Sequence, residues 1–233
     1  MYIRNRIARK GYRMVYLLLC ICGIILQYAH ASMQGGNSCL MLTAYYTMLT
    51  NIMCFVYFGY LVVVDREHEN PMVKGGIVMG IVLTGLGYHL LLSMADVSLG
   101  GTTTPFFTFS NLCVHTFTPL LAIVDYLLFT PKGEYKWYYP FAWLVLPALY
   151  MIFIFIRAAV SSNVFYGYDG TSRYPYPFID VDVLGGGKVT LMILLMVVIY
   201  VALGFASYGV DKLLAYVDRR IKAKKLASSD MTE

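Results

Sequence analysis

Apolar residues gather in six stretches, near 12 to 30, 41 to 64, 75 to 95, 112 to 130, 139 to 160 and 188 to 210. Each is close to or above the about 20 residues that a helix needs to cross a bilayer core of about 30 Å. Aromatics and glycines interrupt the runs, but none shows the strict two-residue alternation of a barrel strand. The pattern predicts an all-α membrane protein with six transmembrane helices.

Charge adds orientation. Arg4, Arg6, Arg9, Lys10 and Arg13 crowd the start, further basic residues fall between Asp65 and Lys74 and at Lys132 and Lys136, and others lie between Lys212 and Lys225. The alternate connections, near 31 to 40, 96 to 111 and 161 to 187, carry only Arg173 among their basic residues, with Lys188 at a helix edge. By the positive-inside rule both termini are expected to be cytoplasmic and those three connections external. A competing reading takes the basic start, the first apolar run and Ala29-His30-Ala31 as a cleaved signal peptide, against which the run is long.

Composition agrees: 59% of the residues are hydrophobic and 13% charged, too apolar for a water-facing surface. Residues 1–211 read as the membrane domain. Residues 212–233 read as a basic tail in which Leu213, Leu214, Val217 and Ile221 stand beside Lys212, Arg219, Arg220 and Lys222, the pattern of an amphipathic helix on anionic headgroups. Topology accounts for the basic residues, so the net charge of +5 does not require a nucleic-acid partner.

Polar residues within the runs can be sorted by face and depth. In the second run Thr43, Thr47, Thr50 and Asn51 fall at i, i+4, i+7 and i+8, one stripe of a helix. In the fourth, Asn111, His115, Thr118 and Asp125 also share a face, and both helices are expected to run inward from outside. His89 near the end of the third and Arg157 near the end of the fifth fall at the same outer level, with Asp125 deeper. Ionisable groups cost about 2.5 to 3.5 kcal/mol each inside a membrane on insertion scales, which favours a shared interior cavity over a lipid-facing cluster.

A threonine and a histidine at one depth suggest nucleophilic catalysis on an acyl carbon, the neutral imidazole taking the hydroxyl proton. Asn51, Arg157 or a backbone N–H would then face the oxyanion. The bland readings are helix-bridging hydroxyls, packed histidines and a snorkelling arginine. A zinc site from His30, His89 and His115 is a rival, but no histidine pair has local ligand spacing, and no cofactor or metal is assigned. Five cysteines form no framework, although a Cys39 to Cys113 disulfide is geometrically open.

Three blocks carry a resemblance: YYTMLTN at 45 to 51, NLCVHTFTPLLAIVDYLLFTPKG at 111 to 133, and YPYPFIDV at 174 to 181. In them the chain resembles the androgen-induced protein and androgen-dependent TFPI-regulating protein family of six-helix membrane hydrolases, in particular its bacterial relatives. The resemblance implies hydrolysis of fatty acid esters of hydroxy fatty acids, with Thr47 as nucleophile and His115 as base. It also implies residence in a bacterial plasma membrane. Pro119 follows the histidine one residue sooner than in the animal members, and Thr50 and Asn51 stand where those carry other residues, so Thr50 is a second candidate for the reacting hydroxyl. The block around Tyr174 to Asp182 is expected to cap the cavity, with Asp180 or Asp182 orienting His115 or pairing with Arg157.

The expected function is therefore a membrane lipid ester hydrolase using Thr47 and His115, supported by Thr50, Asn51, His89, Asn111, Arg157 and Asp180. The alternative is a non-enzymatic carrier or receptor for a lipid or small amphiphile. Oligomeric state is open.

Overall fold

The computed structural model describes residues 2–65, 69–92, 108–161, 163–165 and 172–229. Local sequence explains several of its helix starts. The Asn5 side chain accepts from the N–H groups of Ile7 and Ala8 to open α1 (Arg6–Met33). Asn70 does the same for Met72 and Val73 ahead of α4 (Pro71–Leu86), whose first residue is a proline that needs no donor there. The remaining helices are α2 (Ser38–Thr43), α3 (Tyr46–Val64), α5 (Phe109–Leu112), α6 (Thr118–Phe129), α7 (Tyr139–Ala142), α8 (Val145–Val160), α9 (Val181–Leu184) and α10 (Gly186–Ser229). Wide π turns at Gly87–Leu92 and Cys113–Phe117 extend α4 and join α5 to α6.

Among the described residues, six helices are long and apolar enough to cross a membrane: Arg6–Met33, Tyr46–Val64, Pro71–Leu90, Phe109–Phe129, Tyr139–Val160 and Gly186–Ser228. The six-helix expectation is met, and the protein is an all-α membrane protein. Helices α1, α3, α4 and α6 form a closed ring in which each packs on the next, and α7 and α8 pack against α4, with α10 on α7. Tyr16, Cys20, Met48, Phe58, Met79, Ile81 and Tyr126 fill the ring. The first apolar run is thus an integral wall: a Cβ on Gly23 would lie 2.6 Å from that of Cys113, so the glycine lets α1 approach the π turn closely.

Three boundaries differ from the sequence expectation. The run near 41 to 64 is broken at Ala44 and Tyr45, where Tyr45 is extended (φ −74°, ψ 139°). The opened backbone groups find phenols: Tyr150 Oη donates to the Ala44 carbonyl at 3.1 Å, and Tyr46 N–H donates to Tyr176 Oη at 3.1 Å. The run from 139 to 160 breaks ahead of Pro147, which has no N–H for the Trp143 carbonyl; Tyr200 Oη donates to it instead at 3.3 Å. The last run does not end near 210, because α10 continues to Ser229 and carries the basic tail as a prolongation of the sixth span. The expected end of the third helix at 95 lies outside the described residues.

One end of the bundle collects the basic segments. Asp65, in the left-handed conformation (φ 47°), receives Arg6, Arg9 at 3.0 Å and Lys10 at 3.2 Å. The Arg9 hydrogen bond, together with those from Arg6 and Lys10, draws its carboxyl down to about 2. Deeper, Asp125 accepts Arg13 Nε at 2.8 Å and also Lys74 Nζ, and Glu69 closes the group on both cations. Two cations and two carboxylates cancel, which is the arrangement a low-dielectric interior tolerates. The same end holds Asp211 of α10, which accepts from Tyr126 Oη at 2.8 Å and from the N–H groups of Gly133 and Tyr135 at 3.0 and 3.1 Å, fixing the Pro131-Lys132-Gly133 turn.

Candidate active site

At the opposite end the two π turns lie side by side. Pro119 has no N–H to offer the His115 carbonyl, so the helix cannot keep its regular ladder there and relaxes into the wide turn Cys113–Phe117. The Thr118 hydroxyl closes that turn by donating to the Cys113 carbonyl at 2.8 Å. Gly85 of α4 brings the partner helix close: a Cβ there would stand 3.1 Å from the His115 carbonyl oxygen and from the Pro119 ring. The result turns His115 toward α3, and Tyr88 of the other π turn stacks on its imidazole at 3.9 Å and 14°.

Because α3 starts only at Tyr46, Thr47 sits in its first turn. Its Oγ1 lies 3.3 Å from His115 Nε2. The other ring nitrogen, Nδ1, is 3.1 Å from the Asn111 carbonyl oxygen. A carbonyl only accepts, so Nδ1 carries the proton, and Nε2 is left with its lone pair toward Thr47. The contact is long for a hydrogen bond to nitrogen but within what an unliganded nucleophile–base pair shows. Both residues are half-buried and face the same cavity.

The other expected residues divide. Asn51 is fully buried and its Nδ2 donates to the Thr47 carbonyl at 2.8 Å and the Val114 carbonyl at 3.0 Å. Both its protons are therefore engaged; it ties the Thr47 turn to the His115 turn and offers no donor to an oxyanion. Asn111 holds His115 by its backbone and is itself held by Gln27 of α1, whose Nε2 donates to Asn111 Oδ1 at 2.7 Å. Thr50 is also buried: its hydroxyl reaches the Tyr46 carbonyl at 2.9 Å and Thr84 Oγ1 at 2.7 Å, so it bridges α3 to α4. Thr43 belongs to α2, where its hydroxyl donates to the Cys39 carbonyl and meets Tyr28 Oη. His89 pairs with Thr116 Oγ1 at 2.9 Å.

Arg157 and Asp180 do not join the site. Arg157 donates to the backbone carbonyls of Arg173 and Asn163 at 2.6 and 2.7 Å and lies over the Phe165 ring, which pins the loop after α8. Asp180 accepts the Ser172 hydroxyl at 2.6 Å and caps α9 through the N–H groups of Asp182 and Val183. Asp182 pairs with Arg173 at 2.8 Å. Neither carboxylate orients His115, whose Nδ1 is occupied by Asn111. Partners 6 to 16 residues away in the chain claim these charges. The five cysteines are free thiols, and Cys39 and Cys113 are not joined. Among the described residues no three His, Cys, Asp or Glu side chains converge, and His30 lies instead beside Gln34.

Thr47 and His115 open on a cavity of about 400 Å³. Its walls are Leu83 and Tyr88 from the α4 segment, Pro147, Ala148 and Met151 from α8, and Ile193, Met196 and Tyr200 from α10. Along α8 the wall runs from Leu144 to Ile152, a length of roughly 12 Å at the helical rise. The lining is largely apolar with Thr47 and His115 set into it, a combination that holds a chain and presents a functional group to them.

Three contributors escaped the sequence reading: Gln27, Tyr88 and Tyr176. The Tyr176 phenol caps α3 and also faces the Thr47 side chain and Tyr150. It stands in the YPYPF block, which marks the loop as a cap without marking which residue enters. No family model, curated protein or solved structure matches the chain.

Proposed function

We propose that the protein is a membrane-embedded lipid ester hydrolase in which Thr47 is the nucleophile and His115 the general base. The observation that carries the reading is the 3.3 Å approach of Thr47 Oγ1 to an imidazole nitrogen whose partner nitrogen is fixed as a donor by Asn111. In the reaction Thr47 Oγ1 bonds to the acyl carbon while its proton passes to Nε2, and the carbonyl electron pair moves onto oxygen. Collapse of the intermediate breaks the ester bond, and the leaving alkoxide takes the proton from His115. Water, deprotonated by the same imidazole, then bonds to the acyl carbon, and as the bond to Thr47 Oγ1 breaks His115 returns the proton to that oxygen, freeing the acid.

The apolar cavity supports a long-chain acyl ester as substrate, bound by its hydrocarbon with the ester beside Thr47 and His115. Exposed Ile152 and Val197 stand on its rim in α8 and α10, so a lipid reaches it sideways from the bilayer without crossing water. The basic end, with Arg6, Arg9, Lys10 and Lys212, supports a cytoplasmic placement of both termini and an outer-leaflet position for the site. The resemblance of the three sequence blocks to the androgen-induced protein family points the same way.

The test is hydrolysis of a fluorogenic long-chain ester by the purified protein in lipid nanodiscs. Wild type turns it over, and Thr47→Ala and His115→Ala each lose at least about 10³-fold in kcat. Thr50→Ala keeps most of the activity. The carrier reading draws on the same cavity; it predicts ester binding without turnover and equal binding by Thr47→Ala.

A further inference from the structure

The proposed reaction leaves one partner unassigned, the donor to the oxyanion. Asn51 cannot serve, since both Nδ2 protons go to backbone carbonyls at 2.8 and 3.0 Å. Arg157 is held by two other carbonyls, those of Arg173 and Asn163. His115 has one nitrogen on Asn111 and the other on Thr47. A hydroxyl at the nucleophile's own helix start belongs to Tyr176, which takes the Tyr46 N–H at 3.1 Å and lines the same cavity as Thr47 and His115.

Its surroundings prepare it as a donor. The phenol oxygen accepts the Tyr46 N–H at 3.1 Å, at the first turn of α3, and also faces the Thr47 N–H. These are donors that a helix start leaves without intrahelical partners. An N–H aimed at the phenol oxygen polarises it and leaves its own O–H to turn away from the two N–H groups, to the side where the Thr47 side chain and Tyr150 face it. Burial pushes the phenol up to about 12, so it keeps its proton at neutral pH. The loop holds the ring in place: Tyr176 stacks on Phe178 at 5.3 Å and meets Tyr45 edge-on at 5.8 Å. Beyond it, Asp180 is locked to Ser172 and to α9. A donor on a fixed ring needs little reorganisation when charge appears, which is what makes such a group effective.

We propose that Tyr176 is a catalytic residue, whose hydroxyl donates the hydrogen bond that stabilises the oxyanion formed when Thr47 attacks an acyl carbon. The assignment rests on the hydrolase reading. It also gives the capping loop a chemical role: with Tyr176 withdrawn, α3 loses its cap and the site loses its donor together.

The experiment uses the full chain in nanodiscs and three probes: a long-chain fluorogenic ester, a long-chain trifluoromethyl ketone and the matching ether, which has no carbonyl. The ketone forms a hemiketal with Thr47, carrying the same oxyanion; the ether reports ground-state binding alone. Tyr176→Phe is expected to lower kcat by roughly 10²–10³-fold. Affinity for the ketone should fall by a similar factor while that for the ether stays as in wild type. Difluorotyrosine incorporated at position 176 keeps ring and hydroxyl and should retain turnover, while unchanged ether affinity in Tyr176→Phe separates loss of the donor from loss of folding. A Tyr176→Phe protein with wild-type turnover and ketone affinity overturns the assignment and leaves Thr47 as nucleophile. So does an equal loss of ketone and ether affinity, which is the mark of a structural role. Wild type that neither hydrolyses the ester nor prefers ketone to ether removes the hydrolase reading, and the role of Tyr176 with it.

Discussion

Asp125→Asn removes one negative charge from a group in which Arg13, Glu69, Lys74 and Asp125 have side chains no more than 4% exposed. The native group is neutral, two cations against two carboxylates; the variant leaves one cation uncompensated in the interior. Asparagine keeps an oxygen for Arg13 Nε, at 2.8 Å in the native protein, but cannot also satisfy Lys74. Breaking a buried pair from one side costs about 3–5 kcal/mol, because the remaining charge stays desolvated. The variant should lose that much in SDS titration from mixed micelles, followed by the fluorescence of the two tryptophans. Asp125→Leu combined with Lys74→Met removes one charge of each sign, leaves Arg13 with Glu69, and should recover most of the loss. A single variant within about 1 kcal/mol of wild type, or a double variant no better than the single, would refute the view that charge balance holds this end together.

Two further outcomes follow from packing and titration. Gly75→Ala places a Cβ 2.3 Å from Cζ2 of Trp143, whose indole is fixed by its hydrogen bond to the Met72 carbonyl at 2.9 Å. Overpacking of about 1–3 kcal/mol should outweigh the about 1 kcal/mol that alanine gains in helix propensity, whereas Gly59→Ala, with nothing within 4 Å, should not destabilise; the same titration compares them. For Asp65, a carboxyl lowered to about 2 by Arg9, Arg6 and Lys10 stabilises the fold fully above its ordinary value near 4 and loses that contribution as pH falls toward 2. The stability gap between wild type and Asp65→Asn should therefore be constant at neutral pH and close between about pH 4 and 2, and a gap that persists through that interval contradicts the assignment.

Much of this architecture was readable from residue pattern. Hydropathy located the six spans, and helical periodicity with alternating direction put Thr47 and His115 at one level before any contact was known. What escaped was decided by distant hydroxyls. Nothing in Leu42-Thr43-Ala44-Tyr45-Tyr46 announces a break, since it has neither Gly nor Pro; Tyr150 and Tyr176 make it affordable by satisfying the opened backbone groups. The tail after Asp211 is expected as an amphipathic helix, and only its unbroken continuity with the sixth span is new. The change from apolar to basic residues after Asp211 marks where a bilayer would end, and no Gly or Pro between Lys212 and Ser229 stops the helix. Arg157 had the right depth and Asp180 the right loop, but each has other partners, Arg173 and Asn163 for the one and Ser172 for the other, which sequence spacing does not rank.

The central claim is that Thr47 Oγ1 reacts and His115 activates it. Peptide mass spectrometry of the full protein after exposure to a long-chain fluorophosphonate tests it most directly, because the adduct marks the attacking oxygen. A single adduct is expected on Thr47, absent from Thr47→Ala and strongly reduced in His115→Ala. An adduct on Thr50, labelling that persists in Thr47→Ala, or a wild-type protein that stays unlabelled would contradict it.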